Sequence, residues 1–437
     1  MVRLRVKEFG PLTTGYNRGD GWLDIRRVTF FCGPQGSGKS TLAKLVSAFS
    51  WIEKALMRGD FTTKDLIFDV LQNERFEYLG IGAYLRKETE IEFEGQAYSF
   101  CVKKQKLITK KSGDRHYIRP KIMYVPAERN LLTTANEQSV KTYKGLPKPL
   151  YTLLEEYEKA KPAIKKIALP IGDTVFFYDE NKGTSFLTKS DGTYPIPVSE
   201  GASGYQSVLP LILVSRFLAE PKRFDVSSSV QPLDYNVKNR IKSEIKTMLP
   251  THGIELQLPS TMETNEFKAV LEAAGINYSF GQDNVLTLNK GPHKDIINFL
   301  AGFYNQSFLN IVEEPEQNLY PASQREVLFD LFSCVNKNEN NQLIVTTHSP
   351  YMIYYLTLAI KAFELLKAGV PVKKLKGIIA YDAAINGADT VLYELSKKGE
   401  IRKLPAYKNM PSDENILNKE IIKGNSDFNK LLRINLQ

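Results

Sequence analysis

Two kinds of apolar pattern run along the chain. In the first, short runs are almost uniformly apolar: Val28-Thr29-Phe30-Phe31-Cys32, then Phe308, Leu309, Ile311 and Val312, then Leu343-Ile344-Val345. Runs of this length predict strands buried on both faces, as in a parallel sheet covered by helices. In the second, apolar and polar residues alternate, as in the opening MVRLRVKEFGP and over 89–94 and 98–102. Alternation predicts antiparallel strands with one wet face, and it extends over 78–121, with Ser112-Gly113-Asp114 as the expected hairpin tip. Another strand pair is expected at 173–178 and 184–187, around a turn near Glu180-Asn181-Lys182-Gly183. Helices are expected from Thr41 onward, through most of 131–170, along the apolar run 208–214, and as amphipathic segments at 237–248 and 266–274. No sustained heptad appears in 131–170, so any coiled-coil arm there is short.

The chain has 437 residues, enough for two or three domain-sized units with large cores. Its 42% hydrophobic and 24% charged residues are ordinary soluble globular composition. No run of eighteen apolar residues predicts a membrane span, and the start has no signal-peptide core. Cys32, Cys101 and Cys334 are scattered, read as buried thiols, and suit a cytoplasmic protein with no zinc site. The net charge of +9 invites a polyanion without establishing one. The densest basic run holds Lys103, Lys104, Lys106, Lys110, Lys111, Arg115, Arg119 and Lys121. It reads either as a finger touching a nucleic-acid backbone or an acidic partner, or as a solvated hairpin.

The first candidate chemistry lies just after the run Val28-Thr29-Phe30-Phe31-Cys32. Gly33-Pro34-Gln35-Gly36-Ser37-Gly38-Lys39-Ser40 fits G-x-x-x-x-G-K-[ST]. Glycines let successive N–H groups turn toward phosphate oxygens. Lys39 can reach the β- and γ-phosphates of a bound triphosphate, the Ser40 hydroxyl can hold Mg2+, and Thr41 opens a helix whose N-terminus faces the anion.

Further along, Glu313 and Glu314 stand at the end of an apolar strand that Pro315 terminates. A parallel sheet concentrates its chemistry at such ends. One carboxylate can serve the metal side, and the next can orient and deprotonate a water. His348 follows the strand around Leu343-Ile344-Val345 and could bond a γ-phosphate or the attacking water. The turn SEGASGYQS at 199–207 precedes the apolar helix and offers free N–H donors at a helix start.

Together these stretches resemble an ABC-type ATPase: phosphate loop, Ser-Gly signature, carboxylate strand and switch histidine, in that order. Ala202-Ser203-Gly204-Tyr205-Gln206 is similar to LSGGQ, with Ala for Leu and Tyr for the second Gly. The stretch Glu313-Glu314-Pro315 with Leu319 and Pro321 resembles the D-E-P-x-x-x-L-x-P pattern of the RecF, SMC and OLD-type branch rather than that of transporters. FGPL ahead of the loop and Tyr124-Val125-Pro126-Ala127-Glu128-Arg129-Asn130 resemble the same branch. The tail Val391-Leu392-Tyr393-Glu394-Leu395 with Pro411-Ser412-Asp413-Glu414-Asn415 looks like the close of stand-alone bacterial AAA family ATPases. Several of those belong to anti-phage defence or toxin-like operons. The resemblance is specific at both ends of the chain and poor in the middle.

What it implies is an α/β fold, an ABC-ATPase head with a mainly parallel P-loop sheet, an antiparallel β lobe and an inserted helical subdomain. The expected division is an N-terminal lobe at 1–130, a short arm, hairpin and signature at 131–216, a helical insertion at 217–303, and a C-terminal lobe at 304–437. Two heads, as a homodimer or higher homo-oligomer, would sandwich ATP between Lys39 and Ser40 of one and Ser203, Gly204 and Gln206 of the other. Glu314 would be the catalytic base, His348 the switch, and Glu313 with Ser40 the Mg2+ side. Glu313 stands where Asp is usual, and Glu128 stands where a glutamine is expected, so slow turnover is expected. OLD-type nucleases carry a TOPRIM unit, but after His348 the chain has Asp382 and Asp389 without Asp-x-Asp, so it is not expected to cut nucleic acid itself. The expected role is an ATP-driven switch acting on a separate effector, a nuclease or toxin, in anti-phage defence or DNA maintenance. The alternative is an ATP-bound scaffold that holds an effector inactive, with hydrolysis incidental. A transporter motor is disfavoured by the carboxylate stretch and by the long gap between Ser203 and Glu313.

Overall fold

The uniform apolar runs become neighbours in one sheet. The computed structural model describes residues 2–112, 117–134, 145–220 and 305–434, with the backbone of short strands Phe224–Asp225, Tyr278–Phe280 and Val285–Leu288. The helices expected at 237–248 and 266–274 lie outside the described residues, as do Gly113, Asp114 and Arg115. The five central strands are β1 (Val28–Cys32), β2 (Pro120–Val125), β3 (Ser307–Glu313), β4 (Gln342–Thr347) and β5 (Thr390–Leu395). They lie side by side in the order β5-β1-β4-β3-β2, and every neighbouring pair is parallel. Glu400–Lys403 joins β5 antiparallel, and Gly15–Tyr16 closes that edge.

A parallel sheet must be covered on both faces, and the six longer helices include those that cover it: α1 (Lys39–Arg58), α2 (Lys148–Ile164), α3 (Ser203–Ala219), α4 (Pro321–Asn336), α5 (Pro350–Lys367) and α6 (Ile416–Ile434). The pleat divides each strand between two cores. Val28, Phe30 and Cys32 of β1 face the core built with α2, α3, α4 and α5, while Phe31 faces the core built with α1. In β3, Phe308 and Val312 take the first side, and Leu309 and Ile311 the second. Successive strand residues point opposite ways, so this parity sends the Glu313 side chain toward the α1 face.

The alternating segments form a separate antiparallel sheet over α1. Its order is Leu23–Ile25, Val2–Lys7, Glu90–Glu94, Tyr98–Lys103, Lys106–Lys111. Phe49 of α1 packs against Phe93 at 5.3 Å and Phe100 at 5.6 Å between ring centroids. Full burial of one such ring stabilises by about 1.5–3 kcal/mol. Gly59, in the left-handed region at φ 81°, terminates α1. A further tight turn, one the sequence does not announce, lies at Lys104–Gln105, at φ 51° and 55°, with Lys103 paired to Lys106. Two left-handed residues make the tight turn that suits strand twist, but without Gly or Asn the sequence gives little notice of it. The strand pair expected around 180–183 is present, with Asp179 opposite Thr184. At 17 residues, α2 is about 25 Å long, and it packs against α3 and β2 instead of projecting as an arm.

Candidate nucleotide site at the C-terminal edge of the parallel sheet

The loop 33–40 leaves the C-terminal end of β1 and enters α1, so it lies at the sheet edge where β4 also ends. Gly33 N–H donates to Thr347 O at 3.4 Å. A Cβ on Gly33 would stand 2.4 Å from Leu395 O. Gly38 caps α1 at φ 97°, and a Cβ there would meet Leu12 at 2.5 Å. FGPL therefore packs against the loop, which gives that sequence feature a physical role. Lys39 is buried, and its Nζ donates to Gly33 O and Pro34 O, both at 2.9 Å. Burial lowers the Lys39 pKa, and the nearby charges of Glu314, Glu316 and Glu313 oppose that. Ser37 and Thr41 are buried, Ser40 and Pro34 are partly open, and Gln35 and Gly36 are exposed.

The carboxylates arrive from β3. Glu313 is buried, and it accepts a hydrogen bond from the Tyr124 hydroxyl and one from Ala127 N–H at 3.3 Å. Burial, with Glu313 beside it, carries the Tyr124 hydroxyl well above its ordinary pKa, so it stays a donor. Glu314 lies just past the strand with φ 43°, and its N–H donates to Thr346 O at 2.9 Å. His348 Nδ1 stands 3.2 Å from Glu314 Oε1 and 3.5 Å from Glu316 Oε1. These are ion-pair distances, and the directional geometry of a good hydrogen bond is lacking. The pairing raises His348 above its ordinary pKa against burial, and holds Glu314 below its own. The structure thus brings Lys39, Glu313, Glu314 and His348 to one edge.

Three further residues shape the site without having been assigned roles from the sequence. Glu316 is buried, accepts from Thr347 Oγ1 at 2.7 Å and from His348 N–H at 2.9 Å, and burial raises its pKa. A third acid in the run Glu313-Glu314-Pro315-Glu316 was the available signal. Tyr124 and Arg129 lay within the resemblance to the RecF, SMC and OLD-type branch, but nothing local marked one as a carboxylate donor or the other as buried. Glu128 itself is exposed.

The Ser-Gly turn begins α3. Ser203 is exposed and Gly204 partly so. Gln206 is buried, and its amide donates to Val198 O at 3.4 Å and Ser199 O at 2.9 Å, which holds the preceding turn. A Cβ on Gly204 would lie 3.0 Å from Asn318 O, and Thr174 Oγ1 donates to the Tyr205 hydroxyl at 2.8 Å. The neighbours of this turn are therefore residues near 174 and 318, whereas those of the phosphate loop are Leu12, Thr347 and Leu395.

The basic run is dispersed over its described residues. Lys103 pairs with Glu90, Arg119 is buried, and Lys121 Nζ donates to Glu156 Oε1 at 2.9 Å. Lys106, Lys110 and Lys111 lie exposed on an edge strand, where lysines discourage sheet-to-sheet pairing. Among the described residues no trio of His, Cys, Asp or Glu is arranged to hold a metal, and no helix is long and apolar enough to cross a membrane.

A parallel sheet with a glycine loop at one strand end and paired carboxylates and a histidine at the next two is the arrangement expected from the resemblance to an ABC-type ATPase head. Residues 296–353, which contain β3, both carboxylates and His348, match the AAA ATPase domain family. Two solved structures are similar over most of their length. One is the SMC head domain from Thermotoga maritima, with 11% identity, TM-score 0.36, and 93% of this chain and 98% of that one covered. The other is an SmcHead bound to the C-winged helix domain of ScpA, with 11% identity, TM-score 0.35 and the same coverage. At that overlap neither neighbour bears on function. No curated protein matches the chain in sequence.

Proposed function

We propose that the chain binds and hydrolyses ATP on the loop 33–40, and that a second copy of the chain completes the site. The observation that carries this is the gathering of buried Lys39, buried Glu313, and the Glu314–His348 pair at one sheet edge, with Ser203 and Gly204 among different neighbours. The loop fits a polyphosphate: Gly38 adopts a conformation that suits glycine, and the Ser37 hydroxyl is buried with no hydrogen-bond partner among the described residues. The N–H groups of Gln35, Gly36 and Gly38 would face the phosphates, while Gly33 N–H is held by Thr347 O, Ser37 N–H by Pro34 O, and Thr41 stands in the first helical turn.

Lys39 would bind the β- and γ-phosphates, and Ser40 and Glu313 would hold Mg2+. When bound, Mg2+ would supply charge neutralisation at the phosphates. Glu314, kept ionised by His348, accepts the proton of the attacking water. His348 keeps the charge on that base and presents a polar edge to the reacting phosphate. Ser203 and Gly204 of the second copy close the other side of the same ATP, and Gln206 braces their turn.

Head engagement of this kind makes a homodimer or higher homo-oligomer into a switch. By resemblance alone, its output is a separate effector protein, a nuclease or toxin, in anti-phage defence or DNA maintenance in the cytoplasm. Nucleic acid remains a candidate ligand of the lysines on Lys106–Lys111.

The test is Glu314→Gln in the full chain, examined by light scattering with and without ATP and Mg2+. The expected result is an ATP-dependent, hydrolysis-arrested dimer that Lys39→Ala abolishes. A Glu314→Gln protein that binds ATP but stays at one mass with and without it would sink the two-copy site.

A further inference from the structure

Arg129 is completely buried, and its described bonds all go to main-chain carbonyls. Nε donates to Ser207 O at 2.9 Å. Nη1 donates to Pro126 O at 3.3 Å and Glu313 O at 2.7 Å, and Nη2 donates to Glu314 O at 2.9 Å. One planar group therefore spans the chain just after β2, the first turns of α3, and both carboxylate residues at the end of β3. Burial of a cation costs heavily unless its donors are satisfied, and here carbonyls satisfy them. The carbonyl it grips at Glu314 belongs to a residue with φ 43°, a conformation that a non-glycine side chain adopts only when its surroundings hold it there. A second strut joins the same segments: Asn318, at φ 59°, donates from Nδ2 to Ser207 Oγ at 3.0 Å.

The geometry points to Arg129, seconded by Asn318, as the positioning residue that sets the direction of the Glu314 carboxylate and ties it to the helix bearing Ser203 and Gly204. This rests on the reading of Glu314 as the base. Arg129 touches no reacting atom in that scheme and acts on the Glu313–Glu314 main chain. Any shift of α3 when Ser203 meets ATP on the other head is transmitted through Ser207 O and the guanidinium to the Glu314 peptide. The base is then aligned in a head whose own Ser203 turn is engaged, which couples the two ATP sites. Lysine cannot substitute, because a single ammonium cannot span four carbonyls in three segments.

The test compares Arg129→Lys and Asn318→Ala with the unaltered full chain in steady-state ATP hydrolysis, fluorescent-nucleotide binding and thermal melting. For Arg129→Lys the expected result is a kcat about 100-fold lower, the loss that a misplacement of about 1 Å produces, with KM and nucleotide affinity within about twofold. Asn318→Ala should lower kcat in the same way, by about 3- to 10-fold, again with KM spared. A purely structural role would lower melting and weaken nucleotide binding together with kcat, with no split between kcat and KM. If Arg129→Lys does not fold, Asn318→Ala decides by the same criteria. Unchanged kcat in the folded variants, or a kcat lowered only in step with nucleotide affinity, overturns the inference and leaves the ATPase reading standing. Absence of hydrolysis by the unaltered chain overturns both.

Discussion

Glu53 offers a prediction whose size follows from its surroundings. It lies on α1, the helix that begins at the phosphate loop, and it is buried. Its Oε1 accepts from Ala97 N–H at 2.6 Å and Tyr98 N–H at 3.0 Å, so one carboxylate pins the hairpin of the antiparallel lobe onto the motor helix. Burial pushes its pKa up from 4.5 to about 7, against the lowering effect of those N–H bonds. The folded chain therefore binds this proton more tightly than the unfolded chain. The stability contributed by the group is fully present below 4.5 and is lost as pH rises through about 7. The full difference corresponds to about 3 kcal/mol. Between about pH 5.5 and about pH 8.5 it amounts to about 2 kcal/mol. Glu53→Gln keeps an oxygen for both N–H groups and cannot ionise. Urea unfolding of the two proteins at these two pH values should show the variant gaining about 2 kcal/mol on the wild type at the alkaline end. An unfolding difference that stays constant between the two pH values refutes the argument, because it would mean that the carboxyl titrates alike in both states.

Three other outcomes follow from the site. Glu314→Gln should lower ATP hydrolysis by about 10²- to 10⁴-fold, the usual worth of a general base, while fluorescent-nucleotide affinity is retained. Tyr124→Phe removes the hydroxyl donor from buried Glu313 and should cost about 1–3 kcal/mol in urea unfolding, because it leaves a buried carboxyl oxygen without its partner and the remaining Ala127 bond is long. His348 is raised and Glu314 lowered, so their attraction is fully present above the ordinary carboxylate range and below the ordinary histidine range. It is lost as pH rises through the raised His348 value or falls through the lowered Glu314 value. Histidine NMR titration should place His348 above 6.5 in the wild type and lower in Glu314→Gln.

The strands that carry the chemistry were legible because buried parallel strands leave a compact apolar mark. β1, β3 and β4 were each visible as such a run, and the loop and carboxylates sit at their ends as expected. The fold class, with its parallel sheet and antiparallel lobe, was equally legible. β5 was visible only through resemblance, since Val391-Leu392-Tyr393-Glu394-Leu395 carries a glutamate in its run. The turn at Lys104–Gln105 was not legible because both residues adopt left-handed conformations without the residues that usually announce them. Gln206 resembled a ligand-facing residue of the signature, yet it is buried and braces its own turn.

The sequence by itself determined which functional groups the chain carries and which strand ends present them: Lys39 and Ser40 after one strand, Glu313 and Glu314 after another, His348 after a third. Such facts are local, because motif spacing and the two-residue pleat operate within a few residues. Only the tertiary structure decided the order β5-β1-β4-β3-β2 that makes those ends neighbours. It also decided that Glu313 meets Tyr124 and Glu314 meets His348, and that Arg129 clamps both carboxylate residues to α3. These depend on contacts between residues far apart in the chain. Such contacts follow from covering both faces of one sheet and from satisfying every buried polar group, demands that no short stretch can express alone.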